Sequence, residues 1–287
     1  MSRTTVNTLL VLTTVYTFFP LVWMVLAAIS SADGVLRGDV FSLGGFDLHH
    51  NLSSLWHTDT SGADTRLTHG PGAGIYGRWY LNSILYAGVG ALGSAVVSVA
   101  AGYAFDKYHF RGKEHLFGLV LVGVLVPGTA TVIPLYLLAA KAGVVNTVWA
   151  VLIPSLVNPF GVYLARIFSA GYIPDEVVEA ARMDGAGEVR LFRSIGFPMI
   201  RSGFTTIFLF QFSAIWNSFF LAMVMLTDDK LFPVSLGLFF WNNYVVQTPA
   251  LLPVVLMGSL LAILPMLIVF VSLQRFWRSG LTAGSVK

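Results

Sequence analysis

Six stretches of this chain run for about 20 residues or more without an Asp, Glu, Lys or His, and nothing constrains the fold more. They cover residues 9–29, 80–104, 117–138, 148–168, 204–226 and 251–272. A helix of about 20 apolar residues crosses the hydrocarbon core of a bilayer, so each stretch is expected to be a transmembrane helix. Arg166, the one charge inside them, lies near an end, where it is expected to snorkel to the interface. Composition agrees: charged residues are 11% of the chain and mean hydropathy is +0.76, against about 25% charged in soluble domains. The expected fold class is all-α and polytopic, with six transmembrane helices in one membrane domain spanning 1–287. The first apolar stretch exceeds the ~7–15 residues of a signal-peptide core, so it is expected to stay as an uncleaved helix.

Basic residues orient such a bundle. With the N-terminus inside, 12 Lys and Arg fall in inner segments and 5 in outer ones. Both termini are therefore expected to be cytoplasmic. The connections 31–77 on the outside and 169–202 on the inside are long.

Several chemistries are excluded. The chain has no cysteine, which removes disulfides, thiolate metal sites and cysteine nucleophiles. A net charge of +3, spread along the chain, points to no nucleic-acid partner. Proton relays and intramembrane proteases need ionisable groups at depth, and these spans supply none, although sodium can be held by backbone carbonyls alone. His49, His50, His57 and His69, with Asp47, Asp59 and Asp64, crowd the outer loop. Their spacing follows no compact ligand pattern, so neither metal nor cofactor is expected. Gly112-Lys113 lacks the upstream glycine and the following Ser/Thr of a phosphate-binding loop. Energy for any active transport would have to come from another chain.

The inner loop is the most charged part of the sequence. Pro174 suits a first helical turn, and Asp175 and Glu176 complement its positive end. Val177, Ala181 and Met183 or Asp184 recur at helical intervals, and Gly185 is placed to stop the helix. A second short helix is expected through Val189, Phe192 and Ile195, running into Pro198. Small residues at Ala180, Ala181 and Ala186 would let another protein approach closely.

In span five, Ser213, Trp216 and Asn217 fall at i, i+3 and i+4 and so share one helix face. Two readings stand. A tryptophan face and an amide suit a neutral sugar in a solute path, and the same side chains can join helices. Gly88, Gly90, Gly93, Ser94, Ala95 and Ser98 in span two are expected to permit close helix packing. Pro127, Pro134, Pro154 and Pro159 are expected to kink spans three and four.

The inner loop resembles the EAA signature of binding-protein-dependent ABC-transporter permeases. Glu179-Ala180-Ala181 precede Gly185 by three residues, and nine residues later come Ile195-Gly196-Phe197-Pro198, with Phe197 where the pattern has Leu. Pro159-Phe160 with Arg166, Trp216-Asn217, and the tail from Gln274-Arg275-Phe276 to Lys287 resemble the carbohydrate-type, maltose-permease-like branch. The resemblance implies a non-catalytic permease subunit of an ATP-driven importer in a prokaryotic cell membrane, carrying a sugar or oligosaccharide. A glycerol-phosphodiester would fit the same pattern. It also implies a second, related permease, a cytoplasmic ATPase dimer and an extracytoplasmic solute-binding protein as partners. Glu179, Ala180, Ala181, Asp184 and Gly185 would dock on the ATPase as a coupling helix. From its length, the outer loop 31–77 is expected to contact the binding protein or the partner permease. The alternative function is a stand-alone carrier or channel driven by an ion gradient.

Overall fold

In the computed structural model, residues 3–41, 45–59 and 74–282 are described. His69 and Asp64 of the outer loop and residues 283–287 of the tail lie outside them. The described residues are mostly helical, and the one β feature among them is an isolated bridge between Ser30 and Phe46. Its helices are α1 (Arg3–Ile29), α2 (Ala32–Arg37), α3 (Leu48–His57), α4 (Tyr76–Lys107), α5 (Lys113–Leu125), α6 (Gly128–Lys141), α7 (Val148–Ser155), α8 (Pro159–Tyr172), α9 (Asp175–Met183), α10 (Glu188–Leu191), α11 (Phe197–Met199), α12 (Arg201–Trp216), α13 (Phe220–Met225), α14 (Val234–Tyr244) and α15 (Leu251–Thr282).

Among the described residues, α1, α4, the α7–α8 segment Val148–Tyr172 and α15 are long and apolar enough to cross a membrane. The other two expected spans are not single straight helices. Span three is the pair α5 and α6, which meet at 107°. Pro127 causes this break: it has no N–H to donate, and it holds Val126 in extended backbone (φ −75°, ψ 122°). Span five is α12, 16 residues long, followed by α13, six residues long. Sixteen residues rise about 24 Å, short of the ~30 Å hydrocarbon core. Span four also breaks, between Ser155 and Pro159, where Asn158 caps α8 by accepting the N–H of Gly161 at 2.9 Å.

The chain forms two compact units. One comprises Met1–Tyr80 and Leu236–Pro265, the other Leu81–Ser235 and Met266–Lys287. In the first, Ala27, Val35 and Val40 pack with Leu252 and Leu256. Beside them Tyr76, Trp79 and Trp241 form a buried aromatic group. Its polar atoms are satisfied: Tyr76 Oη donates to the Gly258 carbonyl at 2.8 Å, and Trp241 Nε1 donates to that of Asp59 at 2.9 Å.

In the second unit, the small-residue face of α4 packs closely except at Gly88, where a Cβ would meet nothing within 4 Å. Ala91, Ser94, Ala95 and Ser98 are buried. A Cβ at Gly102 would collide with Ala165 and the backbone of Arg166, so glycine there sets how closely α4 approaches α8. Ala95, Val99 and Tyr103 share a core with Ala165, Ile173, Val178, Ala181, Leu191, Ile200 and Ile207. That core joins the inner loop to the membrane helices.

Candidate coupling site and solute cavity

α9 begins after Pro174, with Asp175 and Glu176 in its first turn. It ends in a Schellman motif. Gly185 has φ +80°, its N–H donates to the Arg182 carbonyl, and the N–H of Ala186 donates to that of Ala181, each at 3.0 Å. Glycine occupies the left-handed conformation without steric cost. Arg182 Nε then donates to Glu188 Oε1 at 2.9 Å, clasping the bend.

The expected site residues divide between two faces. Glu179, Ala180, Asp184 and Gly185 are exposed, whereas Ala181 is buried with Val178 in the protein's own core. The buried face of α9 is thus Val178 and Ala181, three residues apart; of Val177, Ala181 and Met183 or Asp184, which recur at helical intervals, only Ala181 is buried. The second helix also differs. Val189 is exposed and Leu191 is fully buried. A π-helical turn, Phe192–Gly196, follows, and Pro198 falls in the first turn of α11. Leu191, Gly196 and Phe197 keep right-handed helical backbone, so the helical path continues through Pro198 to Ile200. The π turn, where bonding is already shifted to the carbonyl five residues back, stands directly ahead of the proline, which has no N–H. Ala181, Asp184, Ala186, Arg190, Leu191 and Ser194 help line a recess of about 280 Å3 beside the bend.

A charged cluster that sequence reasoning missed fastens this loop. Lys107, at the end of α4, is buried, and its Nζ donates to Asp175 Oδ1 at 2.6 Å and lies 3.1 Å from Asp106 Oδ2. Ser169, fully buried in α8, donates to Asp106 Oδ2 at 2.7 Å. The hydrogen bond and positive charge of Lys107 hold the Asp175 carboxyl below its ordinary pKa of 3.8. The signal was the adjacent Asp106-Lys107 pair just past span two, which counts in the sequence only towards orientation. Arg166 likewise does more than snorkel. It makes a two-pronged pair with Glu114 at 3.0 and 3.3 Å, and its guanidinium sits 4.0 Å from the Phe117 ring centroid, tying α8 to α5.

The expected solute-path residues separate. Asn217 follows the last residue of α12, its Nδ2 donating to the Ser213 carbonyl at 2.8 Å. It lines a cavity of about 490 Å3 with Thr129, Thr131, Ser155, Gln211 and Ser218. That volume lies in the range of about 300–1,000 Å3 usual for small-molecule sites. Ser213 lines a different cavity, of about 180 Å3, with Phe212 and Phe270. Trp216 is buried, its ring stacked on Phe212 at 5.8 Å. The three residues do not form one polar face. Asn217 keeps the helical register, its N–H donating to the Ser213 carbonyl at 3.2 Å, but Trp216 and Asn217 lie about 100° apart around the helix, one buried and the other lining the cavity. Gln211 is the addition. Its Nε2 donates to the Ser155 carbonyl at 3.0 Å, a carbonyl whose helical donor four residues on is Pro159, which has no N–H.

The chain is similar to known proteins over most of its length. The model of the family described as binding-protein-dependent transport system inner membrane component matches residues 94–278. The arabinooligosaccharides transport system permease protein of Halalkalibacterium halodurans is 33% identical over 220 residues, covering 75% of this chain and 76% of that protein. The melibiose/raffinose/stachyose import permease protein of Bacillus subtilis is 32% identical over 242 residues, covering 83% and 80%. The lactose transport system permease protein of Rhizobium radiobacter is 29% identical over 269 residues, covering 94% and 90%. In fold, the chain is similar to a bacterial ABC transporter involved in the import of the acidic polysaccharide alginate. The TM-score is 0.77 at 24% identity, over 96% of this chain and 98% of that one.

Proposed function

The chain belongs to the family of inner membrane components of binding-protein-dependent transport systems, and from that premise we propose that it carries a sugar or oligosaccharide as one permease subunit of an ATP-driven importer. The observation that carries this reading is the built coupling loop. Glu179, Ala180, Asp184 and Gly185 face outward beside a Schellman-closed bend, while Val178 and Ala181 anchor the same helix in the core shared with α4, α8 and α12. A surface moved from below would thus move the membrane helices. Ala181 contributes by anchoring, and the other four by contact.

Hydrolysis of ATP belongs to a separate cytoplasmic subunit pair, and an extracytoplasmic binding protein delivers the solute. A second, related permease completes the path. The whole chain acts as one transmembrane domain, with both termini cytoplasmic. The sugar assignment follows the relatives named for arabinooligosaccharides, lactose and melibiose, raffinose and stachyose. Gln211, Asn217, Thr129 and Thr131 are the hydroxyl-pairing groups of the path in this subunit.

Purification in mild detergent tests the assembly: an ATPase and a second permease should copurify. Identifying the solute held by the cognate binding protein tests the substrate, and an oligosaccharide is expected. Ion-gradient-driven transport by the chain reconstituted alone would overturn the reading.

A further inference from the structure

α3 is fastened at both ends to transmembrane helices where they emerge on the outer side. Toward its start, Asn51 is buried, and its Nδ2 donates to the carbonyls of Ala28 at 3.0 Å and Ser30 at 2.8 Å, at the last turn of α1. Toward its end, Trp56 meets Tyr76, the first residue of α4, edge-on at 5.6 Å. The N–H of Gly74 also donates to the Trp56 carbonyl at 3.2 Å. Ala28 is at the end of the apolar stretch 9–29, and Tyr76 lies about one turn before the stretch 80–104 begins. A ten-residue helix tied at both points is held close to the outer ends of the two apolar stretches.

Its three faces differ. Asn51, Ser54 and Leu55 are buried against the protein. Leu48, Leu52 and Trp56, at i, i+4 and i+8, form an apolar stripe, 51%, 38% and 42% exposed. His49 and His50 lie outside that stripe and are exposed too, and α3 contains no Asp, Glu, Lys or Arg. The bare apolar surface of α1 also reaches this outer segment. Phe41 stacks on Phe19 of α1 at 6.1 Å, and both rings remain more than half exposed.

We propose that α3 is an interfacial helix whose Leu48, Leu52 and Trp56 rest in the boundary between acyl chains and headgroups of the outer leaflet. Helices with Leu and Trp on one face and polar side chains on the other settle at that depth, here with His49 and His50 as the exposed polar groups, and tryptophan favours it. The outer connection, expected from its length to meet a binding protein or partner permease, then has a lipid-facing element as its footing.

The cysteine-free sequence makes this measurable by spin labelling. Leu52→Cys and His50→Cys are labelled in the purified chain, with the subunits that copurify, in nanodiscs of phosphatidylcholine and phosphatidylglycerol. Collisions with oxygen, which concentrates in lipid, are compared with collisions with a water-soluble nickel chelate. The expected result is an oxygen-to-nickel ratio several-fold higher at position 52 than at position 50. Equal nickel access at both sites would overturn the proposal by placing the stripe in water. Exclusion of both reagents at position 52 would overturn it by placing the stripe under another protein. Leu48→Cys carries the same readout should the labelled Leu52 variant fail to assemble.

Discussion

Gly185 shows what one residue does here. Its Cβ direction opens on empty space in this chain, so a substitution meets no clash of its own and costs only the left-handed backbone, about 1–2 kcal/mol for most residues. Asn, which tolerates that conformation, should keep most solute-stimulated ATP hydrolysis in the purified complex. Gly185→Arg should insert and pair with its sister permease, yet lose uptake and coupled hydrolysis, because its side chain enters the space an approaching ATPase needs. Normal uptake in that variant would remove the loop from the coupling path. The cavity residues make a second test. Asn217→Ala should lower uptake while the complex and its basal hydrolysis persist. Trp216→Ala should instead empty a packed site, at about 3–5 kcal/mol, and disperse the complex, a difference visible by size-exclusion chromatography. Gly185 was legible in the sequence because a helix stop has a local signature. The separation of Ser213, Trp216 and Asn217 was not, because helical spacing says which residues share a side of the helix and not which neighbours each of them meets.

Elements are held by contacts that no local pattern announces. α9 stays beneath the membrane helices partly through Lys107, which gathers Asp106 and Asp175 while Ser169 holds Asp106 from α8. Lys107→Met should free the start of α9, and amide exchange across Val178–Met183 should quicken several-fold without loss of the helices themselves. The pH dependence has a defined sign. Asp175 has a folded pKa below 3.8, so its contribution is fully present above that ordinary value and is lost as pH falls through the lower folded value. After correction for intrinsic rates, exchange in α9 should be flat between about pH 5 and 8 and rise only below about pH 4. Loosening near neutrality would contradict the Lys107–Asp175 tie. Of the four prolines expected to kink spans three and four, Pro127 and Pro159 stand at breaks, whereas Pro134 and Pro154 lie inside α6 and α7. The size of the turn at Pro127 was not legible in the sequence, since a proline removes one hydrogen bond and tertiary packing sets the angle.

At the scale of the molecule, orientation rests on the distribution of basic residues, 12 against 5. In a chain without cysteine it can be read directly. His109→Cys should react with a membrane-impermeant thiol reagent only after the cells are opened, and Gln247→Cys should react in intact cells; the reverse pattern would invert the topology. The all-helical class and the transport family were legible early, because lipid allows a helix few sequences and the inner loop repeats a fixed spacing. The partition into two units was not legible, because it depends on contacts between segments far apart in the chain. That partition also imposes a timetable on biosynthesis. The first unit needs Leu236–Pro265 to complete it, and Leu236 is made 156 residues after Tyr80. At about 5–20 residues per second, the early segment waits on the order of 10–30 s for its partners. α1 spends that interval in the bilayer with little to cover its flanks: of its residues only Ala27 and Ala28, at its end, are buried. Its insertion must therefore be secured by its own apolar length, before any tertiary contact exists to help.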